Sequence, residues 1–260
     1  MKIIISLAQM DIVLGQPEAN FAKAWELTIE AKRRDSDIVV LPELWSTGYD
    51  LGNAARHATG FNEGLFARIA QLAREEAIHI TGSLLMSHDG RHSYNTAPLL
   101  SPTGQLLGHY SKIHLFRPME EHQYLTPGRE MPVFDLPWGK SALAICYDLR
   151  FPELFRKYAL AGTMIVFVMA EWPYPRLDHW QTLLKARAIE NQMFIAACNR
   201  VGESKDERFC GHSAIYDPWG NIVVEAGDAE VLLTAQVDLG TVEKVRAQIP
   251  IFADRRAELY

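Results

Sequence analysis

The chain has 260 residues, 48% of them apolar, enough to bury a large core within one α/β unit. Its 26 basic and 32 acidic side chains leave a formal charge of −6. With no Lys/Arg-rich stripe, that balance argues against nucleic acid as the main partner and for a small molecule. Three scattered cysteines, Cys146, Cys198 and Cys210, do not make a disulfide framework, so a reducing, cytoplasmic setting is expected.

In chain order, the first apolar run is a strand at 2–9, because it stops at Gln9 instead of extending into the core of a signal peptide. No window approaches the ~18–20 apolar residues of a bilayer span, so no membrane partner is expected. A helical pattern at 17–33 leads to a short β-branched run at 37–41, which reads as a fully buried strand. A helix at 62–76 precedes strands at 78–85, 94–100 and 105–110, the last two joined by the turn Ser101-Pro-Thr-Gly104. Further strands fall at 141–145, 163–169 and 194–199, interleaved with helices at 152–161 and 177–192. The chain then runs through strands at 212–217 and 221–225, around Asp217-Pro-Trp-Gly220, to a strand at 231–237 and a helix at 241–248. The alternation predicts a layered α/β fold, and the two hairpins require mixed sheets. No Pro/Ser-rich linker or charge block divides the chain, so a single domain over 1–260 is expected. The segments Ile38-Val-Val-Leu-Pro-Glu43 and Ile165-Val-Phe-Val-Met-Ala-Glu171 are alike enough to suggest a short internal repeat.

Three residues end apolar strands in the order Glu, Lys, Cys. Cys146 closes Ser141-Ala-Leu-Ala-Ile-Cys146 and is followed by Tyr147-Asp-Leu-Arg-Phe-Pro-Glu153, a strand turning sharply toward a helix. Such an elbow exposes a nucleophile and sets it in a positive potential that favours thiolate, although an isolated Cys there is more often a small buried hydrophobe. Glu43 follows Leu41-Pro, where a carboxylate is partly desolvated and can serve as a base. Lys112 lies in Tyr110-Ser-Lys112-Ile-His. Taken singly, Glu43 is a capping residue and Lys112 a solvated charge.

Taken together, the blocks resemble the nitrilase superfamily of carbon–nitrogen hydrolases, and within it the small ω-amidases. The resemblance runs from Ala8-Gln9 through these three motifs to Arg187-Ala-Ile-Glu-Asn-Gln192. It implies a four-layer αββα sandwich with two mixed sheets and a Cys146–Glu43–Lys112 triad working through a thioester. In that scheme Lys112 and the Tyr147 N–H form the oxyanion hole. The sequence alone does not choose between Glu120 and Glu121 as a second carboxylate, but the resemblance, through the family's spacing to Pro127-Gly128, implies Glu121. The expected substrate is an α-keto acid amide, with a carbamoyl or deaminated-glutathione amidase, or a catalytically idle interaction protein, as the alternatives. A homodimer is implied, with contacts at 152–161, 177–192 and the tail 249–260.

Tyr49, Tyr147 and Trp172 are expected as pocket walls. Arg150 and Arg176 are candidates either for a substrate carboxylate or for structural salt bridges. No serine elbow, complete P-loop or metal-ligand spacing occurs, and no metal or organic cofactor is expected. His114 and His179 are read as structural, Cys198 as a strand residue and Cys210 as a loop thiol.

Overall fold

The computed structural model describes residues 1–87 and 89–259. Its strands are β1 (Lys2–Gln9), β2 (Ile38–Val40), β3 (His79–Thr81), β4 (Leu84–Met86), β5 (Tyr94–Leu100), β6 (Leu106–Ser111), β7 (Phe134–Leu136) and β8 (Gly139–Ile145). They continue as β9 (Ile165–Ala170), β10 (Phe194–Asn199), β11 (Glu203–Ser204), β12 (Glu207–Arg208), β13 (Ala214–Tyr216), β14 (Ile222–Glu225) and β15 (Val231–Asp238). The helices are α1 (Pro17–Arg33), α2 (Ala54–His57), α3 (Gly64–Glu75), α4 (Glu121–Tyr124), α5 (Pro152–Leu160), α6 (Leu177–Asn191) and α7 (Gly240–Gln248).

Two mixed sheets result. One runs β15-β1-β2-β3-β5-β4, with β6 on the other side of β5; the second runs β14-β13-β10-β9-β8-β7. The parallel pairs β1–β2, β2–β3, β8–β9 and β9–β10 form the centres, and antiparallel strands flank them. Successive residues of a strand face opposite sides, and the core divides accordingly. Ile38 and Val40 point at the second sheet, whereas Val39 and Leu41 pack under α1 and α3 with Phe21 and Phe66. On the far side of the second sheet, Phe155 of α5 and Trp180 of α6 close the fourth layer. This is the αββα sandwich that the family resemblance implied.

The predicted strand 78–85 is two strands, β3 and β4, interrupted at Gly82. A Cβ there would lie 2.5 Å from Leu41 Cβ and 3.1 Å from Trp45 Cδ1, so the missing side chain lets the loop after β2 cross at this point. Next door, Ser83 Oγ accepts a hydrogen bond from the Leu44 N–H at 2.8 Å and fixes that loop. Gly82→Ala is therefore expected to cost about 1–3 kcal/mol through overpacking. A thermal melt reads this directly, and an unchanged midpoint would mean that the crossing is looser than described.

The strand β7 escaped the sequence reading because three residues flanked by prolines carry too little periodicity. The tail folds back on its own chain: Phe252 receives Arg156 and Arg246 over its ring at 5.4 and 5.1 Å. Tyr260, the end of the tail assigned to a dimer contact, lies outside the described residues.

Candidate active site

The ends of strands from both sheets converge on one point. Glu43 and Lys112 follow β2 and β6 of the first sheet, Cys146 and Glu171 follow β8 and β9 of the second, and Glu121 opens α4. The Lys112 ammonium, buried to 1% exposure, donates to Glu43 Oε1 at 2.7 Å and to Glu121 Oε1 at 2.5 Å. Burial alone would lower this lysine's pKa, but Glu121 and Glu43 hold it well above the ordinary value, so it stays charged. Glu121 is itself raised by burial and by repulsion from Glu43, against the pull of Lys112. Its other oxygen accepts from the Phe116 N–H at 2.7 Å. Glu120, by contrast, adopts a left-handed backbone and turns outward to Gln123.

Glu43 is held at both oxygens. Besides Lys112, Oε1 accepts from Asn95 Nδ2 at 2.8 Å, and Oε2 accepts from the Glu171 N–H at 3.0 Å. The two arms of the suspected internal repeat thus meet, one glutamate's main chain against the other's carboxylate. Asn95 and Glu171 were not assigned to the site from sequence. A buried Asn beside Thr96 at the start of a strand that ends apolar, and a Glu at the end of a buried run, were the available signals.

Tyr49 does more than form a wall. Its hydroxyl lies 2.5 Å from Glu121 Oε1 and 3.1 Å from Glu43 Oε1, tying the two carboxylates together. Burial, then the charges of Glu121 and Glu43, raise its pKa well above the usual phenol value, so it remains a neutral donor.

The elbow at Cys146 differs from the sequence expectation in two ways. A 3₁₀ turn, Cys146–Arg150, intervenes before α5, which begins at Pro152 as expected. Cys146 itself has φ +45°, a conformation costly for a residue with a side chain and concentrated at functional sites. Asp148 holds the turn: it accepts from Tyr110 Oη at 2.7 Å, the Ile145 N–H at 3.0 Å and the His114 N–H at 3.1 Å. His114 stacks on Phe151 with ring centroids 3.6 Å apart, in keeping with a structural role. The expected preference for thiolate is overturned. Burial, and then the Glu43 carboxylate, push the Cys146 thiol well above its ordinary value despite Lys112, so the resting group is S–H.

A narrow cleft opens at the thiol, walled by Tyr49, Phe116, Tyr147 and Trp172, with Arg150 and Arg176 on its rim. The Arg150 guanidinium lies 4.7 Å above the Trp172 ring and Arg176 lies 5.7 Å from Phe116. Among the described residues, neither arginine forms a salt bridge with an acidic group. Burial and the like charge of Arg176 lower the Arg150 pKa. His179 lies 3.4 Å from the Arg150 guanidinium. The other thiols stand apart: Cys198 is buried in β10, and burial pushes Cys210 up to about 12. No group of three or more His, Cys, Asp or Glu side chains able to hold a metal ion occurs among the described residues, and no described helix is long and apolar enough to cross a membrane.

Known proteins share this arrangement of the chain. A 2-oxoglutaramate amidase of Bacillus subtilis is 44% identical over 260 residues, covering all of both chains. An omega-amidase of Mus musculus is 33% identical, with 93% of this chain and 91% of the relative covered. A CN-hydrolase superfamily protein of Xanthomonas campestris, solved with an arsenic adduct in its active site, superposes with a TM-score of 0.91. That protein is 30% identical, with 98% of this chain and 97% of the other covered. Residues 4–247 match the carbon-nitrogen hydrolase family, and with relatives at these identities the chain belongs to that family and is an amide-hydrolysing enzyme.

Proposed function

We propose that the protein hydrolyses the ω-amide of a short α-keto dicarboxylic acid, 2-oxoglutaramate or 2-oxosuccinamate, to the dicarboxylate and ammonia. The observation that carries this reading is two guanidiniums without acidic partners, Arg150 and Arg176, on the rim of the cleft that holds Cys146. Guanidinium pairs with carboxylate through two parallel hydrogen bonds, so the far end of the substrate is anchored there and its amide reaches the thiol. The identity to a 2-oxoglutaramate amidase supports the same substrate class.

The chemistry follows from the geometry. Glu43 takes the thiol proton as Sγ attacks the amide carbon, and the tetrahedral oxygen is met by Lys112 and the Tyr147 N–H. Early N–H groups of a 3₁₀ turn have no partner within the turn, which leaves that of Tyr147 available. Glu43 returns the proton to the departing nitrogen, releasing ammonia and leaving a thioester on Cys146. The same carboxylate then draws a proton from water, which adds to the thioester, and the carboxylic acid leaves as the thiol is restored. No step calls for a metal or organic cofactor. Glu121 and Tyr49 keep Lys112 charged and aimed. We take the enzyme to be one domain working as a cytoplasmic homodimer through α5, α6 and the tail. The exposed Leu160 and Ile189 on those helices support that surface.

Substrate choice tests the proposal. Glutamine brings an α-ammonium toward two guanidiniums, whereas a keto group is uncharged. The kcat/KM for 2-oxoglutaramate or 2-oxosuccinamate should exceed that for glutamine by roughly 100-fold or more. Equal use of glutamine, or a preference for a carbamoylated amine, would refute the ω-amidase assignment.

A further inference from the structure

We propose that Glu171 is a positioning residue for this hydrolysis: anchored from behind by Arg200, it holds the base Glu43 with its N–H and the nucleophile Cys146 with its C=O. The inference rests on the amidase reading of the site and assigns a task to a group outside the expected triad. Glu171 is 1% exposed and lines the cleft. Its N–H donates to Glu43 Oε2 at 3.0 Å, and its carbonyl oxygen accepts from Cys146 Sγ at 3.9 Å. One residue therefore touches both partners of the first proton transfer.

Its side chain determines where that main chain sits. Glu171 Oε2 accepts from Arg200 Nη1 at 3.1 Å. Arg200 is immobilised in turn: it is fully buried, donates to Asp11 Oδ1 at 2.9 Å and to the Ile12 carbonyl at 2.8 Å, and lies over Phe209. Glu171 Oε1 is buried with no hydrogen-bond partner among the described residues. A carboxyl kept in that condition is costly, and here it stands beside the reacting groups.

The groups acting on this carboxyl are Arg200, Glu43 and Lys112, with Tyr49 also in electrostatic range. Burial pushes it up to about 8, against the pull of Arg200 and with the repulsion of Glu43. Below that pH it is neutral. Above it, a further negative charge stands in range of Glu43, in a site that must accommodate a developing oxyanion. Activity should then fall on the alkaline side for a reason located at residue 171.

Two variants separate positioning from mere packing. Glu171→Ala, which frees the main chain from Arg200, should lower kcat on the order of 100-fold, the cost of a misaimed group, with a much smaller change in KM. Glu171→Gln keeps the shape and an oxygen for Arg200, so it should retain kcat near neutral pH and lose the alkaline fall seen in the wild type. Unchanged kcat in a folded alanine variant, or an identical alkaline fall in the glutamine variant, overturns the proposal. If the alanine variant does not fold, the pH profile of the glutamine variant decides alone. If the wild type releases ammonia from no ω-amide, the amidase reading fails instead. The alkaline rate of Cys146 alkylation by iodoacetamide then decides: faster in Glu171→Gln supports the electrostatic link, and equal rates overturn it.

Discussion

Cys146→Ala is expected to abolish ammonia release, by on the order of 10⁵- to 10⁶-fold as for other hydrolases stripped of their nucleophile. The fold should survive. Alanine removes one buried sulfur atom, adds no charge, and leaves the turn held by the carboxylate of Asp148. The backbone conformation at this position is already strained for any side chain, so the substitution adds no new strain. Cys198→Ala and Cys210→Ala should keep most activity, since the first lies within a strand and the second bonds the Trp172 carbonyl behind the cleft. Ammonia release and a thermal melt on each purified variant give the answer. Turnover by Cys146→Ala would sink the nucleophile assignment.

Glu43→Gln should separate two quantities that usually move together, thiol reactivity and turnover. In the proposed mechanism neither thioester formation nor thioester hydrolysis has a base without this carboxylate, so kcat should drop on the order of 10³- to 10⁴-fold. Yet Glu43 is one of the groups that hold the thiol pKa high, while Lys112, which lowers it, remains. The folded-state thiol is protonated at neutral pH and ionises only as pH climbs through its raised value. Removing the adjacent negative charge moves that ionisation to lower pH. At a fixed mildly alkaline pH, iodoacetamide should therefore alkylate Cys146 faster in Glu43→Gln than in the wild type, while turnover is nearly gone. Slower alkylation together with lost turnover would mean that Glu43 already activates the thiol at rest, and the neutral-thiol picture would be wrong.

These two predictions depend on features that differ in how far the sequence revealed them. The strand ends carrying Glu43, Lys112 and Cys146 were legible because each follows a buried run whose apolar, β-branched content is hard to read otherwise. The hairpins at Ser101–Gly104 and Asp217–Gly220 were legible for a local reason, the Pro and Gly that make a tight turn; the Gly104 N–H bonds the Ser101 carbonyl at 2.9 Å and that of Gly220 bonds Asp217 at 2.8 Å. What stayed hidden depends on distant partners. Nothing near Tyr49 in the chain says that its hydroxyl will bridge two carboxylates, because Glu121 arrives 72 residues later. The break at Gly82 is decided by Leu41 and Trp45, which approach only once the sheet has formed. The pull toward thiolate expected at Cys146 is outweighed because a local elbow argument weighs nearby backbone dipoles, whereas full burial and a carboxylate from the other sheet dominate the thiol.

That the proposed reacting groups come from opposite layers has a mechanical consequence. Glu43 and Lys112 travel with one sheet and Cys146 and Glu171 with the other, so the gap between the proposed base and the proposed nucleophile measures the spacing of the whole sandwich. The interlayer side chains, Ile5, Leu7, Ile38 and Val40 facing Leu143, Ile145 and Phe167, act as shims in a caliper. A shim thinned by one methylene can leave the molecule folded and still open the jaws, so turnover becomes a finer gauge of core packing than the melting temperature.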